Sequence, residues 1–146
     1  MQVRDLLERK ASSLITVEPK TELRKAIRLL IHNQIGGLPV LGHNGAPVGL
    51  LAERDVVRAV YEHDGSIDQL RVEDVMRPAP ICDARDSLSD AMHRMTARRL
   101  RHLIVRDGEQ IVGVISVGDI VKHRLEQLET ETGVLRDYVA AQRAAH

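Results

Sequence analysis

The sequence predicts an α/β module of two copies of one small unit, packed sheet against sheet about a pseudo-two-fold axis. Each copy runs strand, helix, strand, tight turn, strand, helix. Three observations predict this. The chain repeats itself in order: Val3-Arg4-Asp5-Leu6-Leu7 returns as Val72-Glu73-Asp74-Val75-Met76, and Val48-Gly49-Leu50-Leu51 returns as Val112-Gly113-Val114-Ile115. The helical stripe Leu23, Ala26, Ile27, Leu30 returns as Leu88, Ala91, Met92, Met95, both at the i, i+3, i+4, i+7 spacing of one helix face. A unit of about 60 residues also buries too little surface to stand alone, so 146 residues suit a pair that shares a core.

The first copy takes residues 1–62. A short apolar run, Leu14 to Val17, reads as its opening strand, and Thr21 as the N-cap of the striped helix. Gly37-Leu38-Pro39-Val40 and Val48-Gly49-Leu50-Leu51 form a hairpin around Gly42-His43-Asn44-Gly45, and Ala52-Glu53-Arg54-Asp55-Val56-Val57 opens the second helix. Residues 63–71, with His63-Asp64-Gly65-Ser66, are the linker. The second copy takes 72–126: Pro80 to Cys82 is its opening strand and Asp86 its N-cap. His102-Leu103-Ile104-Val105 turns through Asp107-Gly108-Glu109, and Ser116-Val117-Gly118-Asp119-Ile120-Val121 starts its second helix. Exposed faces carrying Val56, Val57, Val60, Ile120 and Val121 are expected to meet a second subunit. Residues 127–146 form a helical extension, and Leu125, Leu128, Thr132, Leu135 and Val139 alternate three and four apart as a heptad seam. That seam either docks on its own domain or pairs with another copy.

Composition excludes several functions. Apolar residues reach 43%, yet there is no Phe or Trp and only Tyr61 and Tyr138, so the core is aliphatic. Lys plus Arg (21) balance Asp plus Glu (21), which leaves no basic field for nucleic acid or an anionic membrane and few aromatics for stacking on single strands. Cys82 stands alone and reads as a core thiol. His32, His43, His63, His93, His102, His123 and His146 show no paired spacing for a metal. No signal peptide or apolar span is legible, and the expected location is cytoplasmic. No nucleophile elbow or GxxxxGK[ST] loop nominates a catalyst, so the expectation is a protein that is not an enzyme.

Ile35-Gly36-Gly37-Leu38-Pro39-Val40, Val48 to Asp55 and Val112 to Asp119 resemble CBS repeats. The chain over residues 3 to 125 resembles the stand-alone CBS-pair (Bateman module) proteins of bacteria, whose second repeat carries an Arg-His-Leu strand opening and a Gly-Asp-Ile-Val helix start, as Arg101 to Leu103 and Gly118 to Val121 do here. The resemblance implies two β-α-β-β-α repeats with a cleft on either side that holds an adenosine-type ligand: AMP, ATP, NAD-type or S-adenosyl. It implies ribose contacts from Ser116 and Asp119 in one cleft and from Asp55 in the other, where Ala52 replaces the hydroxyl. Ile15, Thr16, Val17, Ile35 and Gly36 would frame adenine in the Asp119 cleft, with Val114 on the strand leading to Ser116. Pro80, Ile81, Leu100, Arg101 and His102 would frame the Asp55 cleft. Gly118 leaves a phosphate approach open at the helix start, and Arg54 stands at the equivalent place with a charge. The plainer account of Ser116 and Asp119 is a capping box. The implied function is a homodimeric sensor that needs no cofactor, takes an adenine nucleotide as regulatory ligand and signals to a regulated protein. A ligand-free adaptor for a partner protein is the alternative.

Overall fold

Each copy of the repeat opens with a helix that packs on the other copy. The computed structural model describes residues 1–10 and 13–144. Its first half comprises α1 (Val3–Lys10), α2 (Leu23–His32), β1 (Gly37–Leu41), β2 (Pro47–Ala52) and α3 (Glu53–Glu62). The second comprises α4 (Val72–Val75), β3 (Ile81–Asp83), α5 (Leu88–Arg98), β4 (His102–Asp107), β5 (Gln110–Ser116) and α6 (Val117–Ala144). Val3 and Leu6 of α1 are buried among Leu88, Ala91, Leu103 and Ile115 of the second half. Val72 and Val75 of α4 are buried among Leu23, Ala26, Leu38 and Leu51 of the first. Four exposed apolar side chains on two short helices would otherwise meet water. Exchanging the helices buries them and closes two aliphatic cores at once.

The backbone repeats the exchange bond for bond. Val3 N donates to Asp86 O (2.9 Å) and Val72 N to Thr21 O (2.9 Å); Arg4 N donates to Ala84 O (2.8 Å) and Glu73 N to Pro19 O (2.9 Å). Leu88 N reaches Met1 O (2.9 Å), and Leu23 N reaches Leu70 O (3.0 Å). Gln2 N and Arg71 N are each met at 2.8 Å by the carboxylate three residues on, Asp5 and Asp74. These pairs are the two members of a pseudo-two-fold axis.

β1 and β2 pair antiparallel, Leu38 opposite Leu51, and β4 and β5 likewise, Leu103 opposite Ile115. β3 adds to β4 in parallel, Ile81 opposite Ile104. The corresponding strand expected at Leu14 to Val17 shortens to one parallel bridge, Val17 to Val40, so the first sheet has two strands and the second three. The hairpins turn at Gly45 (φ +80°) and Gly108 (φ +63°), left-handed positions that glycine takes without a Cβ clash. Thr21 and Asp86 are not the N-caps. α2 is preceded by Glu22 with no side-chain cap, and α5 is capped by Ser87, which accepts from Asp90 N at 3.0 Å. Thr21 and Asp86 instead accept from Glu18 N (3.3 Å) and Asp83 N (2.9 Å), closing the turn before each helix.

Two glycines let the exchanged helices approach. A Cβ on Gly113 would lie 2.6 Å from Leu7 Cδ2, and one on Gly49 would lie 2.5 Å from Met76 Sδ and 2.9 Å from the Arg77 carbonyl oxygen. Leu7 and Met76 are themselves repeat partners. Leu7 offers a movable methyl, whereas the Arg77 carbonyl is fixed backbone. Gly49→Ala is therefore expected to destabilise by about 1–3 kcal/mol, as overpacking does, and Gly113→Ala by less. Urea denaturation of the two variants checks the order.

Candidate functional site

The two hairpins face each other, and where they meet Gly36 and Gly37 lie against the His102 ring: a Cβ on either would be 3.1–3.2 Å from it. Beside this contact opens a cavity of about 660 Å³. Its walls bring together Ile15, Ile35, Gly36, Arg101, His102, Val114, Ser116, Gly118 and Asp119 from the sequence-derived set. Thr16 and Val17 do not line it; Val17 is buried and spends its backbone on Pro39 and Leu41. Leu7, Lys10, Gln34 and Glu53 line it without having been singled out from sequence.

At the start of α6, Ser116 and Asp119 do form a reciprocal box. Ser116 N donates to Asp119 Oδ2 (2.9 Å) and Asp119 N to Ser116 Oγ (3.1 Å). Lys10 joins them from the exchanged α1, donating to Asp119 Oδ2 at 2.8 Å and to the Val114 carbonyl at 2.9 Å. Both charged side chains keep about a quarter of their surface, 25% for Lys10 and 22% for Asp119. Among the described residues Asp119 Oδ1 has no hydrogen-bond partner, so one acceptor oxygen remains. Burial alone would raise the Asp119 carboxyl, but the Lys10 and Ser116 hydrogen bonds outweigh it and hold it below its usual value. His102 is pushed below the ordinary imidazole value by burial first and by Lys10 next, with Arg54 and Arg101 adding to Lys10 and Asp119 opposing. Lys10 was legible as an outlier, since it falls at i+7 after Val3, Leu6 and Leu7 on the apolar face of α1.

The pseudo-equivalent cleft differs. Asp55 accepts from Ala52 N (2.9 Å), as its partner does from Ser116 N, but it is fully buried and does not reach the wall of the cavity beside it. Arg77 covers it, with Nε 3.0 and 3.2 Å from the two carboxylate oxygens and Nη2 on Oδ1, and Arg58 Nη2 adds a contact at 3.2 Å. Both oxygens are thus taken, and the expected ribose contact from Asp55 is not offered. A smaller cavity of about 240 Å³ remains, lined by Ala52, Arg54, Arg77, Leu100, Arg101 and His102 among others. Arg54 lies there with its guanidinium on the Arg99 carbonyl at 3.1 Å. Ile81 lines neither cavity, since it pairs with Ile104 and its carbonyl receives Arg94 at 2.7 Å.

A family profile described as the CBS domain matches residues 3–62 and 72–126. The chain belongs to the CBS domain family. Its fold is that of a CBS-domain protein from Agrobacterium tumefaciens, 33% identical, with a TM-score of 0.77 over 84% of this chain and 98% of that one. A CBS domain protein of Pyrobaculum aerophilum, complexed with AMP, is 22% identical with a TM-score of 0.78 over 90% and 99%. Inosine-5'-monophosphate dehydrogenase of Methanocaldococcus jannaschii is 33% identical over 113 residues, covering 76% of this chain but 22% of the enzyme. The chain spans only 22% to 41% of the first curated relatives it matches, so the dehydrogenase's activity does not transfer with this match. CBS pairs of this kind are generally regulatory modules rather than catalysts. No helix among the described residues is long and apolar enough to cross a membrane.

Two variants separate the clefts. Arg77→Ala leaves a buried carboxylate without its main cation and is expected to cost about 3–5 kcal/mol in a denaturation experiment. Lys10→Met removes the hydrogen bond to Asp119 while burial persists, so the Asp119 titration midpoint should rise when followed by carboxyl NMR. The His102 midpoint should rise as well, because the cation that lowers it most is gone. In the wild type, stability due to Asp119 is present above its unfolded value and is lost as pH falls through the depressed folded one. Stability due to neutral His102 is full above its unfolded value, near pH 6.5, and declines as pH drops toward the folded one.

Proposed function

We propose that the protein is a regulatory CBS pair that holds one adenosine-containing nucleotide, in the cavity between α1, β5 and the start of α6. The observation that carries this is the free Oδ1 of Asp119 at the edge of a 660 Å³ cavity. Both hydroxyls of a ribose can donate to the Asp119 carboxylate, which Lys10 and Ser116 hold in place through Oδ2 while Oδ1 stays open. The volume lies within the ~300–1,000 Å³ of ordinary ligand pockets. Leu14, Ile15, Ile35 and Val112 supply an apolar wall for adenine. Val117 N is spent on the Arg101 carbonyl and Asp119 N on Ser116 Oγ, so Gly118 N and the Lys10 ammonium are what this wall offers a phosphate. The AMP held by the Pyrobaculum aerophilum relative, and the S-adenosyl-L-methionine and 5'-methylthioadenosine held by another CBS pair, support an adenosine ligand of this class. Binding changes how the repeats or subunits pack and so signals to a regulated protein.

The protein is also proposed to act as a homodimer. Val57 (68% exposed), Val60 and Tyr61 leave an apolar strip on α3, while Val56 and Ile120, expected on that face, turn inward to the cores.

Calorimetry with AMP, ATP and NAD is expected to give one site per chain, with the nucleotide recovered unchanged and the melting temperature raised by mass action. Asp119→Ala should weaken adenosine by roughly 10- to 150-fold, and AMP by less, because the released Lys10 ammonium is drawn to its phosphate. Ala52→Ser should not create a second site, since Arg77 still occupies Asp55. No thermal shift with any of the three at millimolar concentration would leave the ligand-free adaptor, and unchanged affinities in Asp119→Ala would reduce Asp119 to a helix cap.

A further inference from the structure

α6 is one uninterrupted helix of 28 residues, and among the described residues it packs on nothing in its own chain beyond its first turns. Val121, Leu125, Leu128, Leu135 and Val139 are 39–62% exposed. The docking of this seam on its own domain, one of two expectations from sequence, does not occur. Numbered as heptads, Leu125, Thr132 and Val139 take the a positions, and Val121, Leu128 and Leu135 the d positions. Thr132 enters such a seam without a stranded hydroxyl, because its Oγ1 donates to the Leu128 carbonyl at 2.9 Å. Gly133 falls at b, away from the seam.

The flanking charges decide what covers the seam. Arg124 and Glu131 fall at g, Glu129 and Arg136 at e. Each opposite-charge pair, 124 with 129 and 131 with 136, is five residues apart. On one helix that spacing does not bring side chains together, since neighbours are three or four apart. Among the described residues, none of the four forms an ion pair. Five is the separation that joins a g residue of one helix to the following e residue of a parallel neighbour in register. An antiparallel pair sets each a residue against a d residue, which centres it on Thr130 and brings Glu129 and Glu131 each against the same glutamate of the other copy. We propose that α6 pairs in parallel, in register, with α6 of a second copy of this chain. The pairing rests on apolar exposure and charge pattern alone and stands whether or not a nucleotide binds.

The test uses the full chain carrying Val139→Cys. In a parallel pair the two introduced thiols face each other and form a disulfide-linked dimer on oxidation. In an antiparallel pair about Thr130 they lie about 27 Å apart and do not. The native Cys82 is buried, and its thiol is pushed up to about 11 by burial and by Asp86, so it does not compete. Adding Glu131→Arg, or separately Arg136→Glu, turns two attractive contacts of the homodimer into repulsions. Each is expected to slow cross-linking roughly tenfold. An equal mixture of the two charge variants restores opposite charges across the pair and should cross-link at the parent rate as heterodimers. Thermal melts confirm that the domain stays folded in each. Failure of Val139→Cys to cross-link at micromolar concentration overturns the proposal, as does cross-linking that ignores the charge variants.

Discussion

Everything in this molecule hangs on the exchange of the two leading helices. Neither repeat can close its core with its own residues: Val3 and Leu6 complete the second, Val72 and Val75 the first. Separating the repeats would open both cores together, so the pair behaves as one unit in spite of its duplicated sequence. The glycines at 49 and 113 belong to the same constraint, since they are where the arriving side chains Met76 and Leu7 need room. The exchange also has an electrostatic consequence. Each arriving segment carries a cation to the helix-start aspartate of the opposite repeat, Lys10 to Asp119 and Arg77 to Asp55.

Those cations arrive differently, and there the pseudo-symmetry breaks. α1 runs for eight residues, so Lys10 approaches from a helix that continues past Gly113 and leaves a cavity beside it. α4 stops after four, ahead of Pro78, and the chain straightens so that Arg77 pairs with Leu50 through both backbone bonds. Its guanidinium then covers Asp55 completely. A carboxylate with no exposed surface needs that partner to be tolerated at all. The result is one aspartate committed to holding the fold and one that keeps an oxygen toward a cavity.

Most of the architecture was legible because the repeat supplied two independent copies of each signal. Both hairpins and the two glycine turns fall where spacing and residue type put them, and so do the stripes of α2 and α5 except at Met92, which stays exposed. Each N-cap was misplaced by one residue because Thr21 and Asp86 are good capping types used for the preceding turn, a choice that local sequence does not distinguish. The strand at Leu14 to Val17 has the right composition but only one bridging residue, since pairing depends on how far the hairpin reaches. In the candidate site, Ser116, Asp119, Ile15 and Gly36 could be named from the repeat and the resemblance. The closure of the Asp55 cleft could not, because it depends on a helix ending four residues after it begins. Lys10 could have been, because a lysine on an apolar helix face signals a buried partner.

The unbroken run of α6 gives the domain a mechanical property that its small core would not suggest. At 1.5 Å per residue, its 28 residues make a rod about 42 Å long, pivoted where β5 hands over to it at Ser116. A tilt of about 10° at that pivot displaces Asp119 by less than ~1 Å but carries the far end near Ala144 through about 7 Å. An event too small to disturb the packing around Ile115 and Ile120 is thereby magnified to a distance that a neighbouring molecule can register.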